Sequence, residues 1–146
     1  MLSGLVENLM KLRVGVVVLL MFALASVAVA EDKTKAAEAA AEAWLQLVDS
    51  GHYAQSWQDA SSMFKAAVGE REWEQKLKAV RAPLGEMVSR KVRSADFATQ
   101  LPGVPDGQYV VIRYDTSFAN KKSAIETVAP MLDKDGQWHV SGYFIK

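Results

Sequence analysis

The 146-residue chain has the length of one ordinary domain and is short for two, since domains run roughly 100 to 200 residues. Its 17 basic and 17 acidic residues balance, so there is no field of one sign to gather nucleic acid or an anionic membrane. Cysteine is absent, which excludes disulfides, thiolate metal sites, a cysteine nucleophile and a lipidated N-terminal cysteine.

Residues 1–30 read as a cleavable secretory signal. Lys11 and Arg13 precede an apolar run, and Ala28-Val29-Ala30 supplies a small-x-small exit before the charged Glu31-Asp32. Glu7 fits poorly ahead of that positive region, so Met10 competes with Met1 as the initiator. An uncleaved anchor is the alternative. It needs about 20 apolar residues, and residues 14–30 offer 17 positions, Gly15 and Ser26 among them. The expectation is an exported protein, periplasmic or secreted, with no stable membrane anchor and one domain over 31–146. Without Lys11, Arg13 and Glu7 that domain carries 15 basic and 16 acidic residues, still balanced.

Ala37, Ala41, Trp44, Leu45 and Val48 share one face of a first helix, in a stretch rich in alanine, the best helix former. Gly51 stands where a left-handed cap would end it. Tyr53, Trp57, Ala60, Phe64 and Ala67 form a second stripe, with Ser61-Ser62 as a break or tilt. Trp73, Leu77 and Val80 mark a third helix, which stops at Ala82-Pro83 because proline disfavours helix in the residue before it.

From Glu86 the period changes to two. Residues 87–101 predict a long polar strand. Residues 108–118 predict the clearest one, with Val110, Ile112, Tyr114, Thr116 and Phe118 on a core face and Tyr109, Val111, Arg113, Asp115 and Ser117 opposite. A third strand over 124–132 carries Pro130, which implies an edge or a bulge. The hairpin turn Asp133-Lys134-Asp135-Gly136 leads into a last strand over 137–145. Three helices followed by four mostly antiparallel strands is a segregated α+β order, with the helices packed on one face of a curved sheet.

The stretch Ala43-Trp44-Leu45-Gln46-Leu47-Val48-Asp49-Ser50-Gly51-His52-Tyr53, with Ser56-Trp57, resembles the first helix pair of nuclear-transport-factor-2-like (cystatin-like) domains. The ending Asp135-Gly136-Gln137-Trp138-His139-Val140-Ser141-Gly142-Tyr143-Phe144-Ile145 resembles their last strand. Arg81-Ala82-Pro83-Leu84-Gly85, Leu101-Pro102-Gly103, Asp106-Gly107-Gln108-Tyr109-Val110-Val111 and Thr116-Ser117-Phe118-Ala119-Asn120-Lys121 with Glu126-Thr127 resemble the bacterial domain-of-unknown-function family 4019. The resemblance implies a sheet folded around a helix, with a conical pocket between them. It implies no activity, because the wider superfamily holds isomerases, dehydratases and noncatalytic binding modules on one scaffold, and a shared fold does not imply shared chemistry.

Proton transfer in such a pocket would need a carboxylate base and a hydrogen-bond donor in apolar surroundings. The candidates are Glu126, Tyr143, Asp115 and Tyr114. Tyr114 and Asp115 are neighbours on one strand and point to opposite faces, so Glu126 with Tyr143 is the better pair. The structural alternative gives Glu126 a cross-strand ion pair with Arg113 or Lys121 and leaves Tyr143 as half-buried packing. His139 is a further candidate base, but it alternates with Trp138 and so faces the opposite side, towards solvent, without a carboxylate at ligand spacing. No cofactor and no metal site are expected.

Ser141 lacks the surroundings of a nucleophile elbow, and Gly142 relieves crowding or marks a bulge. Arg90-Lys91-Arg93 reads as a solvated strand face. Trp44, Trp57, Trp73 and Trp138 read as core anchors. The candidate pocket-lining residues are Trp44, Trp57, Phe64, Tyr114, Phe118 and Tyr143. The expected role is noncatalytic binding of a small apolar ligand or a protein partner of the cell envelope. An envelope enzyme performing proton transfer or dehydration is the first alternative, and a homodimerisation module using the exposed sheet face is the second.

Overall fold

The structure is a computed structural model in which residues 29–146 are described. The leader, the choice between Met1 and Met10 and the cleavage motif lie outside the described residues, apart from Val29 and Ala30. The chain divides into two compact units, Met1–Lys33 and Thr34–Lys146. Of the first, residues 29–33 are described, and they are helical.

Helix α1 covers residues 29–49 and so begins ahead of Ala37, the first residue of the apolar stripe. Ala37, Ala41, Trp44, Leu45 and Val48 are all buried, which leaves the stripe facing the core. Gly51 at φ 77° closes the helix. Its N–H meets the Val48 carbonyl at 3.1 Å and the His52 N–H meets that of Leu47 at 2.9 Å, a pairing that satisfies two orphan carbonyls.

The second stripe forms two helices rather than one, α2 at Tyr53–Gln58 and α3 at Ser62–Ala67. Ser61 makes the break: it caps α3 by accepting the Phe64 N–H at 3.1 Å, and its own N–H reaches the Val140 carbonyl at 2.9 Å. Helix α4 spans Glu70–Arg81 and continues as a 3-10 turn, Ala82–Leu84. The described residues therefore hold four α-helices and this short turn, where the sequence pattern suggested three helices. Buried Ser56 ties them together, its carbonyl accepting from Trp44 Nε1 at 2.7 Å and its hydroxyl from Trp73 Nε1 at 3.0 Å. The indole nitrogens thus find partners in the interior, as buried tryptophans require.

Strands β1 (Met87–Ala98), β2 (Tyr109–Phe118), β3 (Lys121–Leu132) and β4 (Trp138–Ile145) form one antiparallel sheet in sequence order. The core face of β2 is the expected one: Val110, Ile112, Tyr114, Thr116 and Phe118 are all buried. Val110, Ile112 and Tyr114 join α1 and α4 residues and Val128 and Val140 in one hydrophobic cluster. Tyr109 lies on the other face yet is buried, because the β1–β2 connection folds over it. Its hydroxyl donates to the Pro105 carbonyl at 2.6 Å, and a Cβ on Gly107 would come within 3.2 Å of its ring.

Four register shifts interrupt the ladder, one of them in the β2–β3 pair between Thr116 and Phe118. On β1 the pairing skips Val88 and Arg93, and the extra residue at Val88 turns that side chain outward. Between Val128 and Pro130 the β3–β4 register shifts, with Ser141 and Gly142 opposite Ala129. The extra residue therefore lies on the edge strand β4, across from Ala129 and beside Pro130 of the inner strand β3, and the Ser141 hydroxyl donates to the Ala129 carbonyl at 2.7 Å. Gly136 at φ 78° turns the β3–β4 hairpin. Val80, placed on the α4 apolar stripe by the sequence, is exposed instead, since Arg81 beside it takes the inward position.

Candidate functional site

Six polar side chains, one from each strand and one from each of two helices, meet on the concave side of the sheet. They are Asp49 at the end of α1, Arg81 at the end of α4, Arg90 of β1, Thr116 of β2, Glu126 of β3 and Tyr143 of β4. Glu126 is wholly buried at 0% exposure. Its Oε1 accepts from Arg90 Nε and from the Thr116 hydroxyl, both at 2.7 Å. Its Oε2 accepts from the Tyr143 hydroxyl at 2.5 Å, with Arg81 Nη1 at 4.0 Å. Asp49 takes Arg90 end-on, at 2.7 and 3.0 Å, and Arg81 Nη2 at 2.8 Å.

Two guanidiniums against two carboxylates leave this network neutral, the condition under which buried charge is tolerated. Burial alone would raise the Asp49 carboxyl, but Arg90 and Arg81 outweigh it and hold that group below the usual range. Burial works against the charge on Arg90, yet bonds to Asp49 and Glu126 keep it more firmly protonated than usual. Arg81 is likewise raised against its burial, by Tyr143 and Asp49, and its guanidinium lies 4.9 Å from the centre of the Phe118 ring. Burial, then the neighbouring Glu126 charge, push the Tyr143 phenol well above its ordinary range. It stays a neutral donor.

Beside the network a cleft of about 270 Å³ opens between α1 and strands β1 and β2. Leu45, Met87 and Val92 give it apolar walls, and Glu42, Gln46, Asp49, Arg90 and Tyr114 its polar ones. Tyr114 is 2% exposed, and its hydroxyl has no hydrogen-bond partner among the described residues. Burial, then the Glu42 charge, raise this phenol above its usual range. A second groove of about 290 Å³ runs between α4 and β4, lined by Trp73, Leu77, Val80, Tyr143, Phe144 and Ile145 with two lysines.

The structure brings Glu126 and Tyr143 into direct contact and separates the other candidates from them. Asp115 lies on the opposite face, exposed, and pairs with Arg93 at 2.7 Å. His139 is half-buried rather than turned freely to solvent. Its Nδ1 faces the Asp59 carbonyl and its Nε2 the Asp135 carboxylate, each at 2.9 Å, so the carboxylate missing from the linear pattern arrives through the hairpin turn. Two expected ion pairs are corrected. Glu126 faces Arg90 and Arg81 rather than Arg113 or Lys121, because it points inward while Arg113 points outward to Asp96. Arg90 is an interior cation; only its neighbours Lys91 and Arg93 form the solvated face.

Of the pocket-lining candidates, Tyr114 lines the cleft and Tyr143 the α4–β4 groove. Trp44 and Phe118 are buried in the interior. Trp57 and Phe64 pack partly buried against the core cluster.

The sequence reading missed Asp49, Arg81, Arg90 and Thr116. A signal for two of them is present. Asp49 falls 12 positions after Ala37 and Arg81 8 after Trp73, so each extends an apolar stripe with a charge. Glu126 does the same between Ala124 and Val128, both buried.

A family model described as "Protein of unknown function (DUF4019)" matches residues 40–143, a span that contains the whole network and the cleft. No curated protein and no solved structure matches the chain.

Proposed function

The chain belongs to the DUF4019 family, and from that premise and the geometry of its interior we propose a noncatalytic, nuclear-transport-factor-2-like binding module of the bacterial cell envelope. Its ligand is a small molecule held in the cleft between α1 and the sheet. The observation that carries this reading is the saturation of Glu126. A general base must reach the proton it abstracts within about 3 Å, and this carboxylate is wholly buried with three donors already on it. Tyr143 is locked to the same group, and Asp115 and His139 lie outside the cleft. What remains accessible is a concave wall of mixed polarity, slightly below the roughly 300–1,000 Å³ of most small-molecule sites.

Export rests on the leader over residues 1–30, with processing that leaves Glu31 as the first residue of the mature protein. Methyl NMR of the protein against a library of small neutral fragments tests the binding role. Resonances of Leu45, Met87 and Val92 are expected to move together. Shifts confined to the outer sheet face, or turnover of an enolisable fragment, would refute it.

A further inference from the structure

The cleft carries more negative charge than its walls can balance. Asp49 and Glu126 are matched by Arg90 and Arg81, but Glu42 on the cleft wall makes no ion pair with any described residue, and neither does Glu38 one turn earlier. Four carboxylates (Glu38, Glu42, Asp49, Glu126) against two guanidiniums leave two negative charges on this side of α1. Like charges four residues apart on a helix repel by a few tenths of a kcal/mol, so this arrangement weakens α1 unless a cation neutralises it. Both glutamates act on the Tyr114 hydroxyl.

That hydroxyl is the independent sign of an occupant. It is nearly fully buried, lines the same cleft and has no partner among the described residues. A phenol can accept a hydrogen bond as well as donate one, and an unmade buried bond is costly. Around it, Leu45, Met87 and Val92 offer an apolar lining, and the unbranched Met87 is the wall most able to yield. At ~30 Å³ per water-sized group, a volume of about 270 Å³ holds a compact ligand of roughly nine such groups.

Building on the binding role above, we infer that the cleft takes a small alkylammonium, its charged head between Glu42 and the Tyr114 hydroxyl and its stem on Leu45, Met87 and Val92. Glu42 supplies the counter-charge, Tyr114 accepts one ammonium N–H, and the paired Arg90 forms a floor whose charge is already spent on Asp49 and Glu126. An anion would meet the Glu42 carboxylate, with Arg90 already committed to Asp49 and Glu126.

Calorimetric and methyl-NMR titrations of the full chain with butylamine, 1-butanol and butyrate at low salt test this. Butylamine should bind roughly two- to fivefold more tightly than 1-butanol, the worth of one modest ion pair, and butyrate should not bind. Glu42→Gln should remove that advantage and leave 1-butanol unchanged. Tyr114→Phe should weaken butylamine without lowering the thermal midpoint, since it deletes a group with no partner to lose. Equal affinity for butylamine and 1-butanol, both moving Leu45 and Val92, would overturn the cation and leave the binding cleft standing. No movement of those methyls by any of the three, with a Glu42→Gln variant that behaves the same, would overturn both.

Discussion

Replacing Glu126 by glutamine tests whether the interior network holds the fold together. The change keeps the shape and removes a charge that faces Arg90 at 2.7 Å and Arg81 at 4.0 Å. A guanidinium can only donate, so the glutamine carbonyl must turn to Arg90 and Thr116, and its NH₂ then meets the Tyr143 oxygen. The tyrosine proton loses its acceptor, and Arg81 keeps Asp49 as its one carboxylate. Breaking a buried pair from one side costs about 3–5 kcal/mol, a large share of a domain stability of roughly 5–15 kcal/mol. At an m-value of about 1.5 kcal/mol/M the urea midpoint falls by roughly 2–3 M. Tryptophan fluorescence reads the transition directly, because the Trp44 ring lies 5.3 Å from that of Tyr143. Asp115→Asn is the control, an exposed pair with Arg93 whose loss costs under about 1 kcal/mol. Equal midpoints for the two variants would refute the assignment of the network as a structural keystone.

The β3–β4 hairpin should respond to pH through two side chains that clasp the α2–α3 connection. His139 is held above its ordinary value: burial lowers it, but Asp135 and the Asp59 carbonyl, one at each ring nitrogen, favour the doubly protonated ring more. Its contribution is therefore complete below the unfolded value of 6.5 and fades as pH rises through the higher folded value, so an NMR titration should place its midpoint above 6.5, and a midpoint at or below that would contradict the clasp. Asp133 is held at about 2 against 3.8 unfolded, by the Ser62 N–H and then the Ser62 hydroxyl. That contribution is present above pH 3.8 and lost as pH falls towards 2; Asp133→Asn should flatten the acid limb of the stability curve and speed exchange of the Ser62 amide, and an unchanged limb would count against it.

Much of the architecture was legible because it is written in periodicity. The α1 stripe, the core face of β2 and the hairpin at Gly136 follow from side-chain spacing and a positive φ. Exposed Val80 and the split at Ser61 were not, because three-to-four spacing cannot tell one helix from two in line when a serine can cap the second. The ion network was hidden for a different reason. Glu126 and Arg90 are 36 positions apart and Asp49 and Arg90 are 41, and their pairing depends on a strand register shifted by bulges at Val88 and Arg93. Periodicity alone does not place bulges. Asp49, Arg81 and Glu126 were conspicuous all the same, each a charge on an otherwise apolar stripe, whereas Arg90 sits on a polar strand.

The distribution of the network over the molecule also bears on the proposal that it does not perform the chemistry its parts suggest. Every strand contributes one member, and a one-residue slip of any strand would turn that member to the outer face, leaving a buried charge unpaired. The same closure that fixes register occupies the carboxylate oxygens that a general base would need: Glu126 has given its oxygens to Arg90, Thr116 and Tyr143, and Asp49 its own to two arginines. Carboxylate and phenol in contact thus signal order here, where in an open pocket they would signal proton transfer. Two buried polar atoms on this face have no partner among the described residues, Arg81 Nε and the Tyr114 hydroxyl; of the two residues, Tyr114 lines the cleft, two residues along β2 from Thr116. A fold that spends its charges on registration and leaves the cleft-lining phenol unmet is what directs the proposed recognition chemistry to Tyr114 and Glu42 rather than to Glu126.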